Sequence, residues 1–236
     1  MPPDPLHCRI VVAGDDVWED LSNGIDQVKR LATDADMVAE LECGLARVVG
    51  ESTSPQVMVL FTAAGQFTPE QQRRVDASVR AGTGLVAIHC SAYFPGFNAD
   101  DPRPDAAQYW STAFHLLGVR YDSHGPQPHE TTFTVHVDSD HPITRTVTDF
   151  PIHHEHYHVV MDDPAPQVVA WREADAAREP VMTAKQWGQG RVVWLQLGHD
   201  MRAFGCPEVR QLLTNALVWV APRESQATSN AEAVNR

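Results

Sequence analysis

The sequence predicts an α/β protein with a mostly parallel central sheet, helices on both faces and added antiparallel strands. Three observations carry this. Continuous apolar, β-branched runs recur at 8–13, 57–62 and 84–89, as in strands covered on both faces. Helical patterns with start and stop signals lie between them, and strand–helix alternation with short joins builds a parallel sheet. After residue 130 the apolar period changes to two, the mark of antiparallel or edge strands.

Taken in order, Cys8 to Ala13 reads as a first buried strand ending in the loop Gly14-Asp15-Asp16. From Ile25 to Val49, apolar positions at Val28, Leu31, Ala35, Val38, Leu41 and Leu45 fall three or four apart, which predicts a helix in one or two pieces. Val57 to Thr62 is the second buried strand. Thr68-Pro69-Glu70-Gln71 then supplies an N-cap, a proline at the first helical position and a glutamine three residues after the cap. That helix stops at Gly82 and Gly84, and Gly84 to His89 is the third buried strand.

Asp105 to Gly118 predicts a further helix between an aspartate cap and a glycine stop. Phe133, Val135 and Val137 alternate with polar residues, and shorter strands follow near 157–160, 168–171, 181–185 and 191–197. Pro207 opens a last helix carrying Val209, Leu212, Leu213, Ala216, Leu217 and Val220. No repeat or linker interrupts residues 6–222, which predicts one domain, and residues 223–236 have almost nothing to bury, which predicts a disordered tail.

Composition narrows the partners. Of 236 residues, 18 are Lys or Arg and 31 Asp or Glu, for a formal net charge of −13, with no basic run to track phosphates. Nucleic acid is therefore not expected. The longest apolar runs, about six residues, fall far short of the roughly twenty that a membrane helix requires, so no membrane partner is expected and the predicted location is the cytoplasm. The four cysteines lie far apart without C-x-x-C spacing, and no disulfide is expected.

Histidine is over-represented, with 12 in the chain, and clusters on the segments that end strands. Ligand sites in open α/β sheets lie beyond the carboxyl ends of the strands, which here carry Asp15-Asp16, Gly65-Gln66, His89-Cys90-Ser91 and Gly198-His199-Asp200. His124 and the run His153-His154-Glu155-His156-Tyr157-His158 add to them. Read as a strand, that run sets His154, His156 and His158 on one face and Glu155 and Tyr157 on the other. It is either a solvated surface strand or part of a metal site, and imidazole with carboxylate would favour zinc. His89, His154, Glu155, His156 and His199 are the candidate ligands. Asp15 either binds hydroxyls or caps the next helix, Asp200 with His199 either acts in the site or caps a turn, and Trp110 belongs either to the core or to a sugar-stacking platform. Cys90 is either a nucleophile or an inert buried thiol.

Four pieces in order, Gly82 to Ser91, the Asp138 to Thr144 segment, the Glu-x-Tyr at Glu155 to Tyr157 and Gly190 to Asp200, resemble the ThuA (trehalose utilisation) family. The resemblance implies a flavodoxin-like sandwich similar to class I glutamine amidotransferases. In that pattern His89 occupies the nucleophile's slot, with Cys90 one residue later. His154 stands where such relatives usually carry an acidic residue.

The activity that the resemblance implies is processing of a small-molecule carbohydrate, most concretely an oxidised (3-keto) glycoside or disaccharide, by acid–base chemistry. Glu155 or His89 would serve as base, His199 as acid, and His124, Asp200, Asp15 and Trp110 as substrate contacts, with or without a divalent metal. No G-x-G-x-x-G fingerprint is present, so neither NAD nor flavin is expected. The alternatives are a Cys90–His199 hydrolase of amidotransferase type and a non-catalytic sugar-binding module; either as monomer or as homo-oligomer.

Overall fold

The computed structural model describes residues 4–14, 19–45, 55–62, 67–174 and 177–222. Two very different strand types build its sheet, and their burial explains the sequence patterns. Every residue of β3 (Val57–Thr62) and β4 (Gly84–Ile88) is buried. Val57, Val59 and Phe61 pack on one face of the sheet, whereas Met58 and Leu60 pack on the other, so alternation of polar and apolar residues has no place there.

These strands sit beside β1 (Leu6–Ala13) and β11 (Gly190–Leu195), and the order β2-β1-β3-β4-β11 is parallel throughout. This is the flavodoxin-like order, with its topological switch between β1 and β3. The sheet continues antiparallel through β10 (Ala177–Trp187), β9 (Gln167–Ala174), β6 (Glu130–Val137) and β7 (Phe150–Glu155), nine strands in all among the described residues. A separate antiparallel pair joins β5 (Val119–Ser123) to β8 (His158–Met161).

Helices α1 (Leu21–Asp34), α4 (Met201–Gly205) and α5 (Pro207–Val220) cover one face, and α2 (Pro69–Arg80) and α3 (Ala106–Leu117) cover the other. The expected cap of α2 is present in full: Gln71 N donates to the Thr68 hydroxyl at 3.2 Å, while Thr68 N donates to Gln71 Oε1 at 2.8 Å. Thr68→Ala is expected to cost about 1 kcal/mol, read as a lower urea midpoint at unchanged slope.

One expectation fails early in the chain. The pattern from Ile25 to Val49 is not one helical stretch: α1 starts at Leu21 and stops at Asp34, Asp36 turns the chain with φ +58°, and Met37–Cys43 forms β2 beside β1. Val38 and Leu41, counted as helix-face positions, stand exposed on this edge strand. The three-residue spacing was an accident of a strand paired along one edge only. Val49 lies outside the described residues, as do Asp15, Asp16, Gly65, Gln66 and the predicted tail.

Candidate active site and metal centre

The chain enters the site by a sharp turn after β4. His89 follows Ile88 directly, adopts φ +48° and starts a 3-10 turn through Ala92. Its carbonyl accepts from Trp194 Nε1 at 3.1 Å, which ties the turn to the neighbouring strand β11. Room for it comes from Gly198, at φ +151°, where an added Cβ would lie 2.6 Å from Ile88 Cγ2 and 3.4 Å from His89 Cβ.

The His89 ring is wholly buried, and its two nitrogens have different partners. Nδ1 lies 2.6 Å from the carbonyl oxygen of Gln196; a carbonyl can only accept, so Nδ1 carries the proton. Nε2 lies 2.8 Å from the Tyr157 hydroxyl and 3.2 Å from Glu155 Oε2. Tyr157 also stacks on the ring, with centroids 4.6 Å apart.

Glu155, the last residue of β7, is where the rings converge. Its Oε1 is 2.8 Å from His124 Nε2, and its Oε2 also lies 3.3 Å from His199 Nδ1. Burial alone would raise its pKa, but hydrogen bonds from His124 and His89 and the charges of His89 and His199 outweigh this and hold the carboxyl well below the usual carboxylate range. Behind His124, the Tyr121 hydroxyl lies 2.8 Å from Nδ1 and donates to Asp100 at 2.5 Å. Burial, followed by the charge of Glu155, pushes Tyr157 upward, so its phenol keeps its proton.

These groups open onto a cleft of about 1150 Å³ among the described residues, walled by Val12 from β1 and Gly14 just after it, Thr68 before α2, and Tyr93, Tyr121, His124, Glu155, Tyr157 and His199. It lies at the carboxyl ends of β1 and β2, beside the turn that follows β4, on the side where a doubly wound sheet places its ligand.

Of the predicted site residues, His89, Glu155, His199 and His124 meet here. His154 does not serve as a ligand: its Nδ1 faces the Glu155 carbonyl, and its Nε2 accepts from Gly198 N at 3.1 Å and His199 N at 3.2 Å, so neither nitrogen is free. Burial, reinforced by the charge of His89, lowers its pKa to about 3, and the ring stays neutral. The expected alternation ends at Glu155, because β7 stops there and β8 starts at His158. His156 packs edge-on against His158, which pairs with Glu179 at 2.9 Å, so neither joins the cluster.

Trp110 is core: it stacks on Phe94 at 5.3 Å and donates from Nε1 to the Pro95 carbonyl at 3.0 Å. Asp200 caps α4, with Oδ1 accepting from Arg202 N at 2.8 Å and Oδ2 held by the Arg202 guanidinium, so its charge is committed to the arginine two residues on. Cys90 borders the cleft but is 2% exposed, and burial followed by the charge of Glu19 pushes its thiol well up, against a nucleophilic role. Asp15 lies outside the described residues. Sequence reasoning assigned no role to Tyr157, Tyr121 or Gln196; only Tyr157 carried a signal, as part of the Glu-x-Tyr pattern.

One atom each from His89, Glu155 and His199 lies within 4.8 Å of the others, a two-histidine, one-carboxylate set. Two features fit a divalent ion. His199 Nδ1 is buried without a hydrogen-bond partner. The His89 Nδ1–H on a backbone carbonyl is the outer contact by which ligating imidazoles are oriented.

The sequence signature of the ThuA family, described as trehalose utilisation, matches residues 12–220. The chain belongs to the ThuA family. Among solved structures it is similar to a ThuA-like protein from Parabacteroides merdae (14% identity, TM-score 0.68, covering 92% of this chain and 90% of that one) and to one from Bacteroides uniformis (16%, 0.64, 92% and 91%). It is also similar to part of a β-galactosidase from Bacillus circulans, at 12% identity and a TM-score of 0.62, covering 93% of this chain and 32% of that one. At these identities the likeness establishes the fold of this ThuA protein, similar to class I glutamine amidotransferases. No curated protein matches the sequence. No helix among the described residues is long and apolar enough to cross a membrane.

Proposed function

We propose that this ThuA protein is a carbohydrate-processing enzyme acting on an oxidised (3-keto) glycoside or disaccharide, by acid–base chemistry assisted by a divalent ion, with zinc preferred. The observation that carries the reading is the convergence of His89 Nε2, Glu155 Oε2 and His199 Nδ1 beside the cleft. Membership of a trehalose utilisation family supports a sugar as the substrate class. An ion held by these three residues supplies Lewis acidity to a keto oxygen.

The chain's own groups would do the rest. His124 lines the cleft with its Nε2–H on Glu155, and in this pair the carboxylate would take a proton from a carbon beside the ketone while His124 holds it in place. Tyr157, kept as a phenol, donates one back. Before that step Glu155 is ionised between the imidazoles and balances whatever positive charge they take up. A cytoplasmic location belongs to the same proposal and is supported by four free cysteines.

The test is turnover of 3-keto-disaccharides followed by mass spectrometry, on protein purified without an affinity tag and analysed for zinc, manganese, iron and nickel. Stoichiometric metal and chelator-sensitive turnover are expected. Turnover that survives the chelator in metal-free protein would leave a metal-free acid–base site, and saturable binding without turnover would make the chain a sugar-binding module. Cys90→Ala should leave turnover largely intact, whereas His89→Ala should remove it; the reverse pattern would establish the cysteine hydrolase instead.

A further inference from the structure

We propose that His154 is a positioning residue, whose buried ring clamps the Gly198–His199 turn to the end of β7 and so sets His199 opposite Glu155. The consequence for metal binding rests on the reading above, whereas the clamp itself is a property of the turn.

The backbone N–H groups of Gly198 and His199 point to one spot, as successive amides do in anion-binding nests. Here the spot is filled by His154 Nε2, at 3.1 and 3.2 Å. The ring is 1% exposed, so water does not compete for these donors. Because Nδ1 spends its proton on the carbonyl of Glu155, the tautomer that leaves Nε2 bare is fixed by the same strand that carries the carboxylate.

One imidazole thus bridges the segment bearing Glu155 and the segment bearing His199. A second strap completes the triangle: Gln196 accepts from His89 Nδ1 on its carbonyl and donates from its amide to the Glu155 carbonyl at 3.2 Å. The three ligand-bearing segments are referenced to one another through His154 and Gln196.

The choice of histidine has a chemical reason. A carboxylate could accept the same two N–H groups, but it would set a second anion beside Glu155, with His89 only 5.6 Å from the His154 ring. A neutral nitrogen holds the turn and leaves Glu155 as the one negative ligand of the set. An aliphatic residue would bury two unpaired donors, and the turn would have to rotate towards water, carrying the His199 ring with it.

Zinc affinity by competition with a chromophoric chelator, and hydrogen exchange at the Gly198 and His199 amides, test this. His154→Leu is expected to lose about 10–100-fold in zinc affinity and to exchange those two amides about tenfold faster, with the far-UV spectrum unchanged. In His154→Gln the amide oxygen reaches the position of Nε2, and affinity should return to within roughly threefold of wild type. If His154→Leu does not fold, His154→Asn, whose oxygen stops short of the turn, takes its place. A variant lacking the acceptor that binds zinc as tightly as wild type, or keeps both amides as protected, overturns the clamp; so does failure of the glutamine to rescue a folded protein. Wild-type protein that takes up no zinc overturns the metal reading instead, and the amide exchange then decides the clamp alone.

Discussion

Glu155→Gln is expected to lower turnover of a keto-disaccharide by on the order of 10²–10⁴-fold and to abolish stoichiometric metal uptake, in a protein that still folds. The substitution keeps the shape of the side chain and removes its charge. Three ring nitrogens, on His124, His89 and His199, lie 2.8 to 3.3 Å from its two oxygens. The carboxylate accepts from His124 and would share an ion with His89 and His199; an amide brings no charge to that ion and turns an N–H2 towards at least one nitrogen that should donate or ligate. The stability effect has a defined sign. Because the folded-state pKa of Glu155 lies below the ordinary value of 4.5, its ionised contacts stabilise the fold above that pH, and the contribution is lost as the pH falls further. The melting temperatures of wild type and Glu155→Gln should therefore converge on acidification. Unchanged turnover in the variant, or a gap that widens in acid, would remove Glu155 from the centre of the site.

How far the site was legible in the sequence depended on whether a residue acts through its position along the chain or through what its atoms touch. His89 and His199 end strands, and the rule that doubly wound sheets bind ligands there selects them without any knowledge of packing. The same logic placed the central strands, since only a strand covered on both faces tolerates five apolar residues in succession as β3 does. The capping signature of α2 likewise depends on neighbours in sequence alone.

His154 was misread as a ligand because nothing local shows that both its nitrogens are taken by backbone from residues 155, 198 and 199. Trp110 and Asp200 fall in the same class: one indole N–H finds a carbonyl fifteen residues away, and one carboxylate is consumed by an arginine two residues on. Gln196 was invisible because its contact to His89 is a backbone carbonyl, which any residue type supplies, and its side-chain amide meets a carbonyl 41 residues away. β2 was missed for a different reason: with a neighbour on one edge only, it shows no continuous apolar run, and its exposed Leu41 mimicked a helix face.

Gly198→Ala is expected to destabilise the protein by roughly 2–4 kcal/mol and to remove metal binding together with turnover. Two independent costs fall on one methyl group. At φ +151° the backbone occupies a region that an L side chain rarely adopts, and the added Cβ would press on Ile88 Cγ2 at 2.6 Å, in a strand whose residues are all buried and cannot give way. Relief by rotating the peptide would withdraw the Gly198 N–H from His154 and displace His199 next to it, so the strain is transmitted directly to a ligand. Gly82→Ala separates the two costs. Its φ of +122° is equally unfavourable for alanine, but the nearest atom to the new Cβ is Gln189 Cβ at 4.0 Å, at the turn between α2 and β4. That variant should lose stability from backbone strain alone, about 1–3 kcal/mol, and keep wild-type zinc affinity and turnover once folded. Chemical denaturation and chelator competition on both proteins give the comparison. Equal zinc affinity in the two alanine variants would show that the close approach of Gly198 to Ile88 and His89 does not hold the site together.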